Sequence, residues 1–211
     1  MSVRLTVLGG AAAWPNPGQG CSSYLVEAND TALLIDCGPN TVLTLREHVD
    51  YHAVDAVVIS HWHSDHILDL IPYRYGLVYG PGELSRPIPL WLPTEGREHL
   101  AGIAAAISGS DEDASVFWSR VFDIREYEPD DVLEVGGLRL EVGTRIGDVL
   151  VVIGNAGAGK RAQAAFDIAV VQRAAFEEGI ARHHRFRHHG ARIGHVQPVP
   201  LVRILAADAR E

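Results

Sequence analysis

The sequence has little cysteine, no long apolar run and fewer basic than acidic residues. Its 2 cysteines, Cys21 and Cys37, are too few for the disulfide framework of a small secreted domain. No apolar segment approaches the roughly 18 residues that a membrane-spanning helix needs. The net charge of −9 argues against non-specific nucleic-acid binding by the whole surface, because phosphates favour clustered Lys and Arg. Since residues 3–8 predict a strand rather than a signal peptide, we expect a cytoplasmic protein without membrane contacts.

The rest of the composition is that of an ordinary globular domain. The 211 residues are 47% hydrophobic and 21% charged, which allows one medium domain with a proper core. Continuous apolar runs at 31–36 and 55–60 are typical of strands buried on both faces. The full pattern predicts strands at 3–8, 22–27, 31–36, 55–60 and 88–92, helices at 40–48, 67–79 and 95–107, and further strands over 122–142 with hairpin turns at 130–131 and 136–137. This alternation predicts an α/β fold.

The character of the chain changes near residue 145. Residues 1–144 contain 8 Lys and Arg against 21 Asp and Glu, whereas residues 145–211 contain 10 against 6. All four Trp and all six Tyr precede the change, and the tail is rich in Ala, Arg, Gly and His. We therefore divide the chain into an N-terminal part, 1–144, and an atypical tail, 145–211.

Four side chains that can bind metals lie within six residues, directly after a predicted strand: His61, His63, Asp65 and His66. A loop leaving a strand can turn His61 and His63 to the same side, so that both imidazoles bind one ion. Asp65 and His66 begin the next turn, close enough to hold a second ion or its bound water. Three imidazoles and a carboxylate suit zinc, manganese or iron. The alternative, a loop of solvated histidines, fits poorly between a buried strand and an apolar helix.

The pattern His-x-His-x-Asp-His after a strand resembles the signature of the metallo-β-lactamase superfamily. Leu-Gly-Gly at 8–10, the segment 14–26 and Leu-Ile-Asp-Cys-Gly at 34–38 are similar to its ribonuclease Z-like and cyclic-nucleotide phosphodiesterase-like branch. The resemblance covers about residues 1–144. It implies a four-layer αββα sandwich with a two-metal site at the edge of the paired sheets, and a C-terminal half that is incomplete or atypical.

The resemblance also implies roles for individual residues. His61 and His63 would bind the first metal, and Asp65 and His66 the second, with Asp65 also orienting the attacking water. Asp36 resembles the buried carboxylate beside the site, a partner of one of the ligand histidines. The alternative for Asp36, a simple turn residue before Gly38, stays open at this point.

Three further ligands that a complete site of this kind needs are not found by pattern. The segment 143–148 contains no histidine, and no Gly-Asp-Thr or Gly-Asp-Ser segment follows a strand at the expected distance. His195 and the histidines of 183–189 are candidates by residue type alone. Either the tail is an unusual replacement that completes the site, or the chain is truncated or frame-disrupted near residue 145. The second explanation accounts for both the composition change and the missing motifs.

The sequence therefore predicts a metal-dependent hydrolase, acting on a phosphodiester of a small substrate or nucleotide through metal-bound hydroxide. The cofactor expected is one or two Zn²⁺ ions, with Mn²⁺ or Fe as alternatives, and the expected assembly is a homodimer. A catalytically impaired remnant of the fold is the main alternative. Transfer-RNA 3′ processing is disfavoured, because residues 67–72 lack the Gly-Leu-Pro of such enzymes, although RNA stays an alternative substrate. Residues 154–161 nearly form a phosphate-binding loop, but Arg161 replaces the Ser or Thr that meets magnesium.

Overall fold

The computed structural model describes residues 3–11, 13–28, 30–142 and 149–152. Apart from 149–152, the tail 145–211 lies outside the described residues, so the structure tests neither explanation for it. The same holds for the phosphate-loop pattern at 154–161 and for the histidines from 183 to 195.

The described residues alternate between strands and helices, as the apolar runs predict. The strands are β1 (Val3–Ala11), β2 (Gly20–Cys21), β3 (Ser23–Ala28), β4 (Thr31–Ile35), β5 (Ala56–Val58), β6 (Ile88–Pro93), β7 (Phe122–Tyr127), β8 (Val132–Val135), β9 (Leu138–Val142) and β10 (Val149–Val152). The helices are α1 (Thr41–Leu45), α2 (Ser64–Ile67), α3 (Leu70–Tyr79), α4 (Gly96–Ile107) and α5 (Asp111–Val116), with a 3₁₀ turn at Tyr51–Ala53.

These strands form two sheets. The larger sheet has the order β2-β1-β3-β4-β5-β6-β7, and the smaller has the order β10-β9-β8. In the larger sheet β4, β5, β6 and β7 run parallel to one another. β3 is antiparallel to both of its neighbours, β1 and β4, and the short β2 is parallel to β1. Because parallel strands end at the same edge, the carboxyl ends of β4 and β5 bring the residues that follow them together.

Alternating side chains of the central strands supply two separate cores. Leu34 and Val57 face the helices, where they pack with Leu70, Tyr73 and Leu77 in one buried cluster. Their neighbours in sequence face the other way and join a second cluster with the smaller sheet, whose members include Leu33, Ile35, Ala56, Val58, Leu133, Val135, Leu138, Leu140 and Val142. This alternation follows from the two-residue period of a strand. Burial of each such side chain contributes roughly 1.5–3 kcal/mol.

The layers found are therefore helix, sheet and sheet, which confirms the α/β class predicted from the alternation of strands and helices. A helical layer beyond the smaller sheet, the fourth layer of the predicted sandwich, is not among the residues described. Within those residues, no helix is both long and apolar enough to cross a membrane.

The helix after the cluster begins earlier than predicted and is interrupted. The sequence predicts one helix over 67–79, but α2 begins at Ser64 and α3 at Leu70. Asp69 lies between them, where its backbone N–H donates to the Cys37 carbonyl and its Oδ2 accepts from the Val42 N–H. These two bonds tie the break to the loop after β4 and to the first turn of α1. Pro72 causes no further break, because a proline in the first turn removes an N–H that has no helical partner.

One of the two predicted hairpins was wrong. Gly136, with a φ of 56°, lies in a hairpin that joins β8 to β9 as predicted. The turn at Asp130, with a φ of 70°, instead carries the chain from β7 in the larger sheet to β8 in the smaller. The Glu128 N–H donates to the Asp131 carboxylate at 2.8 Å, which bends the chain between the sheets.

Candidate metal site

The candidate site lies where the loops after β4 and β5 meet. Asp36 directly follows β4 and adopts a left-handed backbone with a φ of 59°, a conformation that Asp tolerates better than most residues. The Cys37 N–H donates to the His66 carbonyl at 2.7 Å. Gly38 packs so closely on the Asp65 carbonyl that a Cβ at residue 38 would overlap it. The two loops therefore hold each other in place through backbone contacts.

The Asp36 carboxylate is fully buried and accepts four hydrogen bonds. Its Oδ2 lies 2.6 Å from His66 Nδ1, 2.9 Å from Ser60 Oγ and 3.1 Å from Ser22 Oγ. Its Oδ1 accepts from the Ser60 backbone N–H at 2.8 Å. An ionised carboxylate has about four acceptor positions, so this one is saturated. These contacts favour the interpretation of Asp36 as the partner of a candidate ligand histidine over its interpretation as a simple turn residue.

The four candidate ligands lie side by side in two pairs. His61 Nε2 is 3.0 Å from His63 Nδ1, and His66 Nε2 is 3.4 Å from Asp65 Oδ2. The two pairs meet at the His61 and His66 rings, whose centroids are 3.8 Å apart. Two ligands at ~2.1 Å from a tetrahedral zinc are about 3.4 Å apart. The second pair has this spacing, whereas the first pair lies at a hydrogen-bond distance and would open slightly around a shared ion.

Burial sets the protonation of His61. Loss of solvent, reinforced by the neighbouring His66, lowers the pKa of His61 to about 4. The imidazole is therefore neutral near neutral pH, which is the form that binds a metal. His66 is also buried, with a side chain 1% exposed, whereas His63 is exposed to solvent.

The described part of the chain does not complete a metal site. Among those residues no three His, Cys, Asp or Glu side chains are grouped so that they could hold one ion. The sequence likewise provides no recognisable third histidine, bridging aspartate or last histidine. The cluster thus supplies two pairs of donors to a site that needs further ligands.

In the sequence, Trp62 lies between His61 and His63. Its side chain packs on the side of the loop opposite to theirs. It is half-buried against the helix-side core and contacts His99 on α4 with ring centroids 4.8 Å apart. Gly96, at the start of α4, leaves room for the indole, since a Cβ there would lie 2.8 Å from it. The anchored indole leaves His61 and His63 together on the other side of the loop.

Three contacts at the candidate site were not predicted from the sequence. Ser60 and Ser22 bind the Asp36 carboxylate, and the Tyr127 hydroxyl at the end of β7 donates to the Ile59 carbonyl at 2.6 Å. Ser60 could have been found, because it directly precedes His61 at the end of a buried strand. Tyr127 and Ser22 had no such signal, since their proximity depends on the strand order.

The two cysteines take no part in the donor set. Both thiols are free and fully buried. Burial, with a smaller contribution from Asp65, raises the pKa of Cys21 to about 11, and burial raises the pKa of Cys37 well above its usual range. Both stay protonated at neutral pH and behave as small core residues.

The comparisons with known proteins agree with this architecture. The crystal structure of the metallo-β-lactamase fold protein YhfI from Bacillus subtilis matches with a TM-score of 0.54 and 24% identity, covering 66% of this chain and 52% of that one. The probable metallo-hydrolase YhfI of Bacillus subtilis is 37% identical over 90 residues, which are 41% of this chain and 37% of the relative. A ribonuclease Z from Methanopyrus kandleri is 35% identical over 138 residues, 64% of this chain and 43% of the relative. The chain thus spans less than half the length of these two relatives.

Fold and relatives together define the class, a metallo-β-lactamase fold protein of the ribonuclease Z-like kind. The family can be stated more closely. A family model described as "Anti-Pycsar protein Apyc1" matches residues 3–146, more than half of the chain, and the chain belongs to that family.

Proposed function

We propose that this protein is a metal-dependent hydrolase that cleaves phosphodiester bonds, with Zn²⁺ as its metal and Mn²⁺ or Fe as alternatives. The observation that carries the proposal is the pairing of donors: His61 Nε2 with His63 Nδ1 at 3.0 Å, and His66 Nε2 with Asp65 Oδ2 at 3.4 Å. Relatives with the same fold include a probable metallo-hydrolase and a ribonuclease Z, which supports a hydrolase in general terms.

The donor set fits a borderline transition metal. His61 is kept neutral by burial, and His66 is oriented by a carboxylate bound to its other ring nitrogen, the arrangement usual for metal-binding histidines. In the proposal His61 and His63 hold one ion, and His66 and Asp65 hold the second. Asp65, the more exposed of the second pair at 13% of its side chain, orients the attacking water.

A cation is needed at this site for reasons of charge. Residues 1–144 carry 8 basic against 21 acidic side chains, and Asp36 and Asp65 both lie at the cluster. A phosphodiester anion would be repelled by such a surface. A bound divalent cation supplies Lewis acidity, lowers the pKa of a bound water and neutralises the phosphate.

The substrate class rests on the resemblance to the ribonuclease Z-like and cyclic-nucleotide phosphodiesterase-like branch. We propose a small phosphodiester or nucleotide, with RNA as the alternative. A homodimer in the cytoplasm completes the proposal; the two free thiols agree with a reducing compartment. Light scattering of the purified chain measures the oligomeric state.

The test is metal content and hydrolysis measured on the same preparation of the full chain. After loading with Zn²⁺ or Mn²⁺ and dialysis, elemental analysis counts the retained ions. Bis(p-nitrophenyl) phosphate tests for diester cleavage, and p-nitrophenyl phosphate is the monoester comparison. We expect one or two ions per chain and faster cleavage of the diester. Loss of all metal on dialysis would overturn the proposal.

Matched variants locate the site. The double variant His61→Ala, His63→Ala removes one pair of donors and should abolish both metal retention and cleavage. His48→Ala is the control, because His48 is exposed on the loop after α1 and lies outside the cluster. If the double variant retains as many ions as His48→Ala, the metal is bound elsewhere.

A second candidate, a catalytically impaired remnant of the fold, is favoured by one observation. No group of three potential ligands is found among the residues that the structure describes. Such a remnant would bind one metal weakly or none, and it would fold without it. A chain that unfolds cooperatively at the same temperature with and without Zn²⁺, and retains no ion, supports this candidate.

A further inference from the structure

The hydrogen atoms around Asp36 can be assigned one by one. An ionised carboxylate only accepts, and this one has four contacts at its two oxygens. The contact of 2.6 Å with His66 Nδ1 therefore contains the histidine's proton. In its neutral form, His66 therefore carries its hydrogen on Nδ1 and none on Nε2.

Ser60 has a single hydroxyl hydrogen and three side-chain contacts. Its Oγ lies 2.9 Å from Asp36 Oδ2, 3.1 Å from His61 Nδ1 and 3.4 Å from His66 Nδ1. His66 Nδ1 carries a hydrogen and cannot accept one, so only Asp36 and His61 compete for the hydroxyl hydrogen. If the hydrogen pointed at His61, two oxygens with only lone pairs would face each other at 2.9 Å in a buried site, which is unfavourable. The hydrogen therefore points at Asp36, and Ser60 Oγ can only accept from His61.

We propose that Ser60 is a positioning residue that connects the Asp36 carboxylate to His61. Through it, one carboxylate fixes the Nδ1–H tautomer of two histidines, His66 directly and His61 through the Ser60 hydroxyl. Both Nε2 atoms are left without hydrogen and available as ligands. No hydrogen bond described for His63 connects it to Asp36 in this way. Its Nδ1 lies 3.0 Å from His61 Nε2, and with no hydrogen on that Nε2 the His63 Nδ1–H is the donor of the contact.

The tautomer assignment holds for the metal-free protein, whereas its use in ligation rests on the proposed function. A histidine whose tautomer is already correct binds a metal without proton rearrangement, and loss of such a supporting contact typically weakens metal binding by about 10–100-fold. The relay thus prepares one ligand in each pair. His63 is the ligand whose Nδ1 must lose its hydrogen on binding.

The experiment is a long-range ¹⁵N–¹H correlation spectrum of metal-free, ¹⁵N-labelled full chain, with His61 and His66 assigned by comparison with His61→Gln and His66→Gln. The expected wild-type result is Nδ1–H for both residues. A wild-type His61 with its hydrogen on Nε2 overturns the proposal directly, without any further variant. Ser60→Ala should shift His61 toward the Nε2–H tautomer and leave His66 unchanged.

Ser22→Ala is the matched control. Ser22 also donates to Asp36 Oδ2, at 3.1 Å, so its loss removes one hydroxyl from the same carboxylate. We expect Ser22→Ala to keep the His61 tautomer, and Ser60→Thr, which restores a hydroxyl, to recover it. Equal effects of Ser22→Ala and Ser60→Ala on His61 contradict a specific relay.

Zinc titration of the same samples separates the two proposals. Ser60→Ala should raise the dissociation constant about 10-fold or more, and Ser22→Ala should change it less. A wild-type chain with the expected tautomers that binds no zinc upholds the relay and refutes the proposed function. A chain that binds zinc while Ser60→Ala leaves the His61 tautomer unchanged refutes the relay alone.

Discussion

The two donor pairs of the cluster are held in very different ways. His66 is buried, its ring is tied to Asp36 at 2.6 Å, and its backbone carbonyl accepts from the Cys37 N–H. His63 is exposed, and its ring contacts His61 alone among the hydrogen bonds described for it. Both pairs come from the same six residues, so local sequence does not cause the difference. It comes from the loop after β4, which touches one pair and not the other.

The comparison shows which half of the site is part of the folded core. The Asp65–His66 pair is built into the contact between two loops, and altering that contact should cost stability. In the other pair, His61 is half-buried beside Ser60 and only His63 is exposed to solvent. Substitution of His63 should therefore reduce function without reducing stability. Four substitutions test this division, from the largest expected loss of stability to the smallest.

Gly38→Ala should have the largest effect. The new methyl group would overlap the Asp65 carbonyl, a backbone atom that cannot move without displacing the cluster. We expect a loss of about 3 kcal/mol or more in the free energy of unfolding, measured by urea denaturation. The control is Gly102→Ala in α4, where a Cβ meets nothing within 4 Å. It should stabilise by about 0.5–1 kcal/mol. Equal stability of the two variants would show that the loops are not in contact.

Asp36→Asn should have the next largest effect. Asn tolerates the left-handed backbone at this position, so any loss arises from the side chain. The amide replaces an acceptor with a donor that faces His66 and the two serine hydroxyls, and we expect about 3 kcal/mol of destabilisation in urea. Asp50→Asn, at an exposed carboxylate, is the comparison and should change stability by less than about 0.5 kcal/mol. A stable Asp36→Asn variant would contradict the anchoring role.

Tyr127→Phe should have a moderate effect. The substitution removes a buried hydroxyl that donates to the Ile59 carbonyl, just before the cluster. The carbonyl then loses this hydrogen bond. Burial also raises the pKa of Tyr127, so the hydroxyl keeps its hydrogen at any pH used for the assay. We expect a loss of about 1 kcal/mol by thermal or urea unfolding. Tyr79→Phe, at a side chain that is 69% exposed, should have no measurable effect.

His63→Ala should have the smallest effect on stability and a large one on metal binding. The side chain is exposed, so we expect a change of less than about 0.5 kcal/mol in unfolding. Zinc affinity measured by calorimetry should nevertheless fall at least 10-fold. A His63→Ala variant that unfolds as readily as Asp36→Asn would remove the distinction between the two pairs.

Much of this arrangement could be predicted because its signals are local. The apolar runs before Asp36 and His61 predict two strands buried on both faces. The carboxyl ends of neighbouring parallel strands lie at the same edge of a sheet. The cluster itself is contained in six residues. The α/β fold and the proximity of Asp36 to the histidines follow from these facts and the family resemblance.

The remainder depends on contacts that no local pattern encodes. At the break between α2 and α3, Asp69 bonds to Cys37 in the loop after β4 and to Val42 in α1, which is 27 residues away in sequence. The turn at Asp130 has the composition of a hairpin, but the partner available to β8 is β9 rather than β7. The saturation of Asp36 by Ser60 and Ser22 likewise requires three separate segments to be placed in space.

The crossing of the chain from one sheet to the other at Asp130 has a consequence for any shortened form of this protein. The β8–β9 hairpin is what covers the apolar side of β4 and β5, through contacts with Leu33, Ile35 and Val58. A fragment ending at Tyr127 would present that face to water and would self-associate through it. A shortened form that keeps this face of the larger sheet covered must therefore extend at least to Val142.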